Sequence, residues 1–373
     1  MTGSRDQSSL FPGDSGGGES LVLPSLWLEQ PGPEGDVVVS SRMRLARNVD
    51  GFHFKPRFVE GECERLEVHL REVLGEVEPD LRYHAMHSLT GTERKVLFER
   101  HLVSREHAAD EHPRGVGFNA DGTTSIMVNE EDHLRLQAFA PGLDLESLDD
   151  LVNALDDRIA RKVSYSFCPR FGYRTSCPTN TGTGLRVSVM LHLPALSFRG
   201  EMRAGGRGNE QDIVRMQNAA QQLGLTVRGL FGESSRADGE FYQISNQVTL
   251  GRPTRKTIED VQELVSLVLS WERRNRDSHL NENRPRLEDH VWRAWAILTH
   301  ARRMASSEAL SHLSALRLGV CLELFDKVDV ACIQSLMVAM RPGHLQYVAD
   351  SELSADRRDE VRADLIRETL LAN

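Results

Sequence analysis

The hydrophobic pattern of this chain changes near Gly251, and that change constrains the fold more than any other feature. From residue 37 onwards, short apolar runs typical of strands alternate with longer helical patterns. After Gly251, apolar residues such as Ile258, Val261 and Leu264 recur at helical spacing, and similar patterns continue to the end. The sequence therefore predicts a mixed domain of strands and helices followed by an all-helical domain.

Individual elements can be placed from their periodicity. Strands are predicted at residues 37–39, 81–86, 125–128, 187–193, 226–230 and 241–250. Helices are predicted at 66–77, 148–163 and 212–223, with Gly224 as a C-cap. The N-terminus is rich in Gly, Ser and Asp, which is typical of disorder. The predicted division is a disordered or linker segment at 1–35, one domain at 36–275 and a helical domain at 276–373.

The charge and the cysteine content exclude several classes of protein. A net charge of −10 argues against broad binding to nucleic acid or to anionic membranes, which needs a basic surface. Five cysteines, an odd number without metal-type spacing, fit a reducing cytosol better than a disulfide framework. No signal-peptide pattern opens the chain, and the apolar run at 21–28 is too short to span a membrane. We expect a soluble, cytoplasmic protein without a protein-held metal site.

Five short segments concentrate Arg, Glu and Gly at places that border predicted strands. They are SSRMR at 40–44, NEEDHLR at 129–135, CPTNTGTGLR at 177–186, RGLFGE at 228–233 and QISNQ at 243–247. Taken singly, they have ordinary structural explanations: the wet face of a strand, an acidic turn, turn glycines and a core thiol. The chain has no glycine-rich P-loop motif, so a nucleotide site of that kind is not indicated.

Together the segments indicate phosphoryl transfer to a guanidinium group. Transfer from ATP with Mg²⁺ requires several fixed cations around the phosphates, and the planar forks of arginine provide them. A guanidinium substrate is itself cationic, so carboxylates must orient it and help to remove a proton. Segments 129–135 and 228–233 each pair an Arg with a Glu, which suits a site that joins ATP to guanidinium.

These motifs resemble the signature of the ATP:guanido phosphotransferases, the family of creatine and arginine kinases. SSRMRLARN, NEEDHLR, CPTNTGTGLR and RGLFGE occur in the family's order, and the resemblance covers residues 36–275. It implies an α+β catalytic domain with a largely antiparallel sheet flanked by helices, and ATP and Mg²⁺ as cofactors. The reaction it implies is in-line transfer of the γ-phosphoryl group to a guanidinium nitrogen.

The resemblance also implies roles for individual residues. Glu131 and Glu233 correspond to the carboxylates that hold the guanidinium, and Cys177 corresponds to the active-site cysteine. Five arginines correspond to the phosphate-binding set: Arg42, Arg44, Arg135, Arg186 and Arg228. The full set of implied nucleotide-binding positions is Ser40, Ser41, Arg42, Met43, Arg44, His101, Arg135, Arg186, Val187, Ser188, Val189, Met190, Arg228, Gly229, Leu230, Phe231, Gly232 and Glu233. For His101, a packed helical histidine is an equally good interpretation.

Within the family, the chain is most similar to the bacterial protein-arginine kinases. Few residues precede the SSRMR strand, where kinases of small guanidines carry a helical domain, and a helical extension follows residue 275. The segments VMLHLPAL, GLTVRGLFGE and YQISNQVTLG also resemble that branch. The resemblance implies that the substrate is an arginine side chain on a protein.

The end of the chain contains an R-D-x-x-R-A motif, which the branch uses as an allosteric phosphoarginine-binding site. The motif comprises Arg358, Asp359, Glu360, Val361, Arg362 and Ala363. On a helix the two arginines share one face, so both could take the phosphoryl group while the aspartate takes the guanidinium. Without the resemblance, an exposed charged helix is the simpler interpretation.

The branch implies further partners as well. Phosphoarginine would mark proteins for a Clp-type AAA+ unfoldase and protease in the stress response, a small zinc-binding protein would activate the kinase, and the helical domain would form a homodimer. Three features depart from the branch: Arg236 in place of an acidic residue, Val187 in place of Ala, and a longer N-terminal segment. They bear on substrate preference and regulation more than on the reaction.

Two other functions stay open from the sequence. One is a phosphagen kinase for free arginine or another small guanidine, against which the missing N-terminal domain and the R-D-x-x-R-A tail argue. The other is a non-catalytic adaptor that binds phosphoarginine. The complete set of five arginines and two glutamates makes the adaptor the weaker alternative.

Overall fold

An antiparallel sheet forms the centre of the molecule. The structure, a computed structural model, describes residues 21, 25–198, 210–229, 238–349 and 351–372. The strands are β1 (Val38–Arg47), β2 (Arg82–Ala85), β3 (Gly115–Phe118), β4 (Thr124–Val128), β5 (Leu134–Pro141), β6 (Phe167–Cys168), β7 (Gly172–Tyr173), β8 (Leu185–His192), β9 (Leu225–Gly229) and β10 (Phe241–Asn246). Within these residues, eight strands pair antiparallel in the order β2-β3-β4-β5-β1-β8-β10-β9, and β6 pairs with β7 in a separate hairpin. The predicted α+β class is confirmed.

Helices flank the sheet and make up the described chain after β10. They are α1 (Leu26–Glu29), α2 (Glu62–Val77), α3 (Gly91–Glu99), α4 (Arg105–Ala109), α5 (Leu145–Ala160), α6 (Pro194–Phe198), α7 (Glu210–Gln222), α8 (Thr254–His300), α9 (Ser306–Cys321), α10 (Val330–Ala339), α11 (Pro342–Val348) and α12 (Ala355–Ala372). Across the described ranges, none of them is both long enough and apolar enough to cross a membrane.

The pleat of the sheet divides its apolar side chains between two hydrophobic cores. Met43 and Leu45 of β1 belong to the first core, where α2, α5, α7 and the first half of α8 pack against the sheet. Val39 of β1, Phe139 of β5 and Phe241 of β10 belong to the second core, with α1, α3, the second half of α8 and helices α9, α10 and α12. The C-terminal helices therefore cover part of one sheet face.

Helix α8 crosses the predicted domain boundary at 275/276 without a break. Its backbone leaves helical geometry at Asn283, where φ is −141° and ψ is 28°, two residues before Pro285. Proline removes a helical N–H donor and clashes with the preceding turn, so a kink at this point has a local cause. The boundary at 275/276 stays a prediction, and the kink is a physical feature that lies close to it.

The segment from Ser25 to Gly35 is ordered, which differs from the disordered or linker segment predicted for residues 1–35. Trp27 and Leu28 are buried in the second core. The N–H of Leu26 donates to the carbonyl of Asp121 at 2.9 Å, and Gln334 of α10 donates to the carbonyl of Leu28 at 3.2 Å. An apolar Leu-Trp-Leu run supplies enough burial to order a segment that its neighbouring composition suggested was disordered.

Most predicted elements occur close to their predicted positions. The helix predicted at 66–77 begins earlier, at Glu62, and the strand predicted at 241–250 ends at Asn246. Gly224 follows α7 with φ +69°, as a C-cap requires. Strands β3 and β5 were not predicted, since β3 is a glycine-interrupted run and most of β5 follows directly on the NEEDHLR motif.

Arg317 of α9 joins the C-terminal helices to the start of β1. Its side chain is fully buried, and it donates to the carbonyls of Gly35 (2.7 Å) and Asp36 (3.1 Å) and to Nδ1 of His192 (2.8 Å). Because arginine only donates, Nδ1 accepts, so Nε2 carries the hydrogen and donates to Ser314 Oγ at 2.8 Å. Burial, with Arg317 and Arg276, holds the pKa of His192 well below its usual value, so its ring is neutral.

We predict that Arg317→Met lowers the free energy of unfolding by about 3 kcal/mol or more, because it leaves buried acceptors without their charged donor. Urea unfolding followed by circular dichroism measures the change. The matched control is Arg293→Met, whose side chain is 75% exposed on α8 and pairs with Asp289. An exposed pair contributes at most about 1 kcal/mol. Equal stabilities of the two variants would contradict the role assigned to Arg317.

Candidate active site

Cross-strand register places all five predicted phosphate-binding arginines on one face of the sheet. Directly paired residues on neighbouring strands point to the same side. The relevant pairs are Arg42 with Ser188, Arg44 with Arg186, Ala46 with Arg135, Arg228 with Gln243, Gln243 with Met190, and Met190 with Ser40. This face, which we call the arginine face, thus collects residues that are up to 188 positions apart in the sequence (Ser40 to Arg228).

Four of the predicted nucleotide-binding positions point to the opposite face. Met43, Val187 and Val189 are buried in the first core, and Ser41 Oγ donates to the carbonyl of Gly142 at 2.7 Å. Strand alternation explains the difference, since a contiguous motif on a strand sends every second side chain to the other side. Their side chains support the site from beneath.

The arginines lie close enough to disturb one another electrostatically. Burial, together with Arg135 and Arg186, lowers the pKa of Arg42 to about 9. Burial, with Arg42, Arg135 and Arg186, holds the pKa of Arg44 well below its usual range. The Nε atoms of Arg44 and Arg186 are buried without a hydrogen-bond partner among the described residues. A group of cations arranged in this way is a site for a polyanion.

Among the described residues, two cavities can be defined on the arginine face. The first cavity is lined by Trp27, Ser40, Arg42, His101, Phe139, Ser188, Met190 and Gln243. The second cavity is lined by Arg44, Leu45, Ala46, Glu130, Glu131, Asp132, Arg135, Asn180, Gly184 and Arg186. The first is rich in aromatic side chains and the second in charged ones, so the two suit different parts of a ligand.

His101 reaches the first cavity from an unusual backbone conformation. It follows α3 with φ +62°, a region that residues other than glycine rarely adopt. Burial, with Arg42 and Arg341, lowers its pKa to about 3, so the ring is neutral at physiological pH. The predicted nucleotide-contacting position is therefore placed in a cavity and is not within a helix.

Three consecutive acids of the NEEDHLR motif line the second cavity in different environments. Glu130 is buried and accepts from Arg135 (2.8 Å) and Ser104 (2.6 Å). Burial opposes ionisation of Glu130, but Arg135 and Ser104 outweigh it and its pKa is lowered. Asp132 accepts from Asn48 Nδ2 at 2.7 Å and from the N–H of Ser176 at 2.6 Å. These two carboxylates are engaged with groups of the protein itself.

Glu131 has a weaker attachment. Its side chain accepts from the neutral amide of Asn180 at 3.3 Å. Burial raises its pKa, and the neighbouring Asp132 and Glu130 act in the same direction. A carboxylate with few bonds, next to other acids and inside a cavity, is suited to hold a cationic group.

The CPTNTGTG loop forms one edge of the second cavity, and its glycines are required for geometric reasons. Gly182 has φ +117° and Gly184 has φ +67°. A Cβ at Gly184 would lie 2.6 Å from the carbonyl oxygen of Ala46, so the loop can approach β1 only with glycine there. Cys177 begins this loop, and its Sγ lies 2.9 Å from Thr179 Oγ1.

Electrostatics links the loop to the arginines. Burial, with Arg228 and Arg135, lowers the pKa of Arg186, while Glu131 and Cys177 act in the opposite direction. Glu131, Cys177 and the three arginines Arg135, Arg186 and Arg228 are therefore neighbours. Arg228 and Gly229 end β9. Leu230, Phe231, Gly232, Glu233 and Arg236 lie outside the described residues.

The R-D-x-x-R-A motif lies on α12, and none of its residues lines the first or the second cavity. Arg362 is buried, donating through Nε to the carbonyl of Met340 (3.0 Å) and through Nη1 to that of Met304 (2.8 Å) and to Asp359 (2.5 Å). Arg358 donates to the carbonyl of Leu353 at 2.7 Å. Glu360, Val361 and Ala363 lie on the same helix, with Ala363 fully buried. In this structure the motif holds the C-terminal helices together.

Nine cavity residues were not among the predicted site positions: Trp27, Leu45, Ala46, Glu130, Asp132, Phe139, Asn180, Gly184 and Gln243. Trp27 lies in a segment taken as a linker, and Phe139 lies on a strand that was not predicted. Asn180 and Gln243 stood inside quoted motifs without an assigned role. Polar residues in a motif and alternation along β5 are signals that could have identified Asn180, Gln243 and Phe139.

Two family models match consecutive parts of the chain. Residues 65–275, more than half of it, match the C-terminal catalytic domain of the ATP:guanido phosphotransferases. Residues 284–373 match the C-terminal domain of the protein-arginine kinase McsB. The junction between the two matches falls at the kink of α8.

Curated relatives match nearly the whole chain. It is 41% identical over 349 residues to the protein-arginine kinase of Halothermothrix orenii, covering 93% of this chain and 96% of that protein. It is 42% identical over 354 residues to the protein-arginine kinase of Halalkalibacterium halodurans, covering 93% and 95% respectively.

Solved structures share the fold. The duplicated taurocyamine kinase from Schistosoma mansoni with transition-state analogue components is 22% identical with a TM-score of 0.57, over 72% of this chain and 39% of that one. Lombricine kinase is 25% identical with a TM-score of 0.53, over 70% and 72%. Sequence and fold agree, and this chain belongs to the ATP:guanido phosphotransferase family, among the protein-arginine kinases.

Proposed function

We propose that this chain transfers the γ-phosphoryl group of ATP to the guanidinium of arginine side chains in proteins. The observation that carries the proposal is the arginine face, where Arg42 lines the first cavity and Arg44, Arg135 and Arg186 line the second beside Glu131. Arg228 lies on the same face. The relatives named protein-arginine kinases, at about 40% identity over nearly the whole chain, support the protein-bound substrate. The protein is proposed to act in the cytoplasm.

The two cavities suit the two halves of the reaction. The aromatic first cavity would take the nucleoside of ATP, and Arg42 would begin a row of cations for its phosphates. The second cavity would take the substrate guanidinium, held by Glu131 and by Glu233. The arginines between them would neutralise charge that develops on the phosphoryl oxygens.

The transfer needs a group that accepts a proton from the guanidinium, and Glu131 and Glu233 are the carboxylates proposed for it. A guanidinium nitrogen gives its proton to a carboxylate and attacks the γ-phosphorus, so that an N–P bond forms as the bond to the β,γ-bridging oxygen breaks. ADP leaves with that oxygen. Mg²⁺, when bound, would neutralise phosphate charge. Among the described residues no group of three or more His, Cys, Asp or Glu side chains could hold a metal, so we assign Mg²⁺ to the nucleotide's phosphates.

Regulation and partners extend the proposal. The motif from Arg358 to Ala363 would bind phosphoarginine. In this structure Nε and Nη1 of Arg362 already donate to backbone carbonyls and to Asp359. To donate to a phosphoryl group through either nitrogen, Arg362 would have to give up one of these bonds. A small zinc-binding activator, a Clp-type unfoldase and protease downstream, and a homodimer remain proposals that rest on the resemblance.

The deciding experiment is incubation of the protein with MgATP and casein, with free arginine as a parallel substrate. Phosphosites are located by mass spectrometry under non-acidic conditions. We expect phosphoarginine on casein, and a loss of about 100-fold or more in rate for Glu131→Gln, because the carboxylate that orients and deprotonates the guanidinium is gone. Glu233→Gln is expected to behave in the same way.

The matched control is Glu72→Gln, an exposed position on α2 beneath the opposite face of the sheet. It should leave the rate unchanged. Label on free arginine alone would identify a phosphagen kinase. Binding of phosphoarginine without ATP turnover, unaffected by both glutamate substitutions, would identify an adaptor. Full activity of Glu131→Gln would refute the role of that residue.

Arg44→Met should stabilise the unliganded protein while weakening nucleotide binding. Burial, followed by Arg42, Arg135 and Arg186, lowers the pKa of Arg44, so folding disfavours its charged form. Replacing the arginine with an apolar side chain removes this desolvation and repulsion, and we expect a gain of about 1 kcal/mol. The melting temperature with and without ATP measures both effects: the unliganded value rises, and the shift on adding ATP shrinks. Arg71→Met, at an exposed position on α2, is the control. A lower unliganded value with an undiminished ATP shift would contradict this.

The activity should fall in acid at a higher pH than an ordinary glutamate would require. Glu131 acts when deprotonated, and burial raises its pKa, so protonation as the pH falls removes the active form earlier. The pH profile of kcat/KM reports this group in the free enzyme. In Glu131→Gln the residual activity should no longer fall with this pKa as the solution is made acidic. If the decrease in acid stays the same in the variant, a group other than Glu131 causes it.

A further inference from the structure

Trp27 lines the first cavity although it comes from the segment that precedes the sheet. It is 2% exposed, its ring stacks on Phe139 with centroids 5.8 Å apart and planes 15° apart, and the ring of His101 lies 6.0 Å away. The catalytic-domain match begins at residue 65, so Trp27 stands outside it.

The indole nitrogen of Trp27 has a property that packing alone does not explain. Its Nε1 is buried and has no hydrogen-bond partner among the described residues. Buried N–H groups of native proteins nearly always have an acceptor, because the unmade bond costs free energy. Since Trp27 borders a cavity, an acceptor supplied by a ligand would satisfy this group.

The rest of the cavity indicates what kind of ligand fits. Trp27, Phe139 and His101 present flat rings, and Ser40 and Ser188 add polar groups. Arg42 also lines this cavity, and its guanidinium is electrostatically coupled to Arg135 and Arg186 of the second cavity. A ligand with an aromatic base and ribose at one end and a polyanion at the other has this two-part chemistry.

Helix α1 holds Trp27 in place from both sides. The N–H of Leu26 donates to Asp121, and Gln334 of α10 donates to the carbonyl of Leu28. The carbonyl of Leu21 accepts from Arg100, the residue next to His101, at 2.7 Å. The indole is therefore held in one position, so a ligand that binds beside it loses less free energy to the ordering of this side chain.

We propose that Trp27 is a nucleotide-binding residue, whose ring packs against the base and ribose and whose indole N–H donates to an acceptor on that part of the nucleotide. The proposal rests on the proposed use of ATP and adds the N-terminal segment to the nucleotide site. The arginines can bind phosphate without Trp27, so the contribution of Trp27 to nucleotide affinity can be measured separately from that of the arginines.

The test compares two probes, ADP and inorganic tripolyphosphate, by isothermal titration calorimetry with the full chain. Trp27→Phe keeps a ring and loses the N–H, so ADP affinity should fall about 3- to 10-fold, the effect of one hydrogen bond. Trp27→Leu loses the ring as well and should fall about 10- to 100-fold, as for loss of base stacking. Tripolyphosphate affinity should stay within about twofold for both.

Trp292→Phe is the matched control, since Trp292 is 45% exposed on α8 and packs on Phe325. It should leave both affinities unchanged. Wild-type ADP affinity in Trp27→Phe and Trp27→Leu would overturn the proposal. Equal weakening of ADP and tripolyphosphate would also overturn it, since Trp27 would then act through the fold. If the expected pattern appears but no arginine is phosphorylated, this inference stands and the proposed function fails.

Discussion

Repulsion among the arginines of one sheet face is the constraint on which the rest of the structure depends. Partly buried guanidinium groups disfavour one another, so other parts of the fold must supply the free energy that keeps them together. The same strands supply it on their reverse side, where Met43, Val187 and Val189 are buried in the first core. Along β1 and β8, burial of apolar side chains, which is favourable, therefore alternates with burial of arginines, which is unfavourable. An anion that enters the face removes the repulsion, and this couples occupancy of the site to stability.

The acids beside this face show how local partners divide roles among identical functional groups. Glu130 accepts hydrogen bonds from an arginine and a serine, and Asp132 accepts them from an asparagine and a backbone N–H. The charges of these two carboxylates therefore stabilise the structure of the site. Glu131, between them, is held by one neutral amide. Its neighbours' negative charges make it a poor site for another anion and a good one for a cation. The NEEDHLR motif therefore contains two carboxylates that stabilise the site and one, Glu131, that is able to bind a cationic substrate.

Much of the site could be predicted from the sequence, because its motifs are contiguous and their order is specific. The segment 40–44 was located correctly, but strand alternation sends Ser41 and Met43 to the reverse side, which a motif taken as a block does not reveal. Trp27 could not be found, since its role depends on contacts with Phe139 and Gln334, which lie far away in sequence. The sequence also did not show that α8 continues across the expected domain boundary. Helical periodicity predicts that a helix forms, but it does not predict which parts of the structure that helix connects. Local pattern predicts elements, while long-range packing decides which of their faces do the chemistry.

The second core has a consequence for how the protein is made. Its members come from both ends of the chain, from Trp27 and Val39 to Ile366 and Leu370. While the ribosome is still synthesising the last helices, the sheet face that carries Val39 and Phe139 has no cover, and the nascent chain exposes an apolar surface that invites aggregation or chaperone binding. The contact from Gln334 that steadies α1 is also absent until α10 has emerged. The order of synthesis therefore delays completion of the first cavity until most of the C-terminal region exists, so that a prematurely terminated chain is released without a finished site.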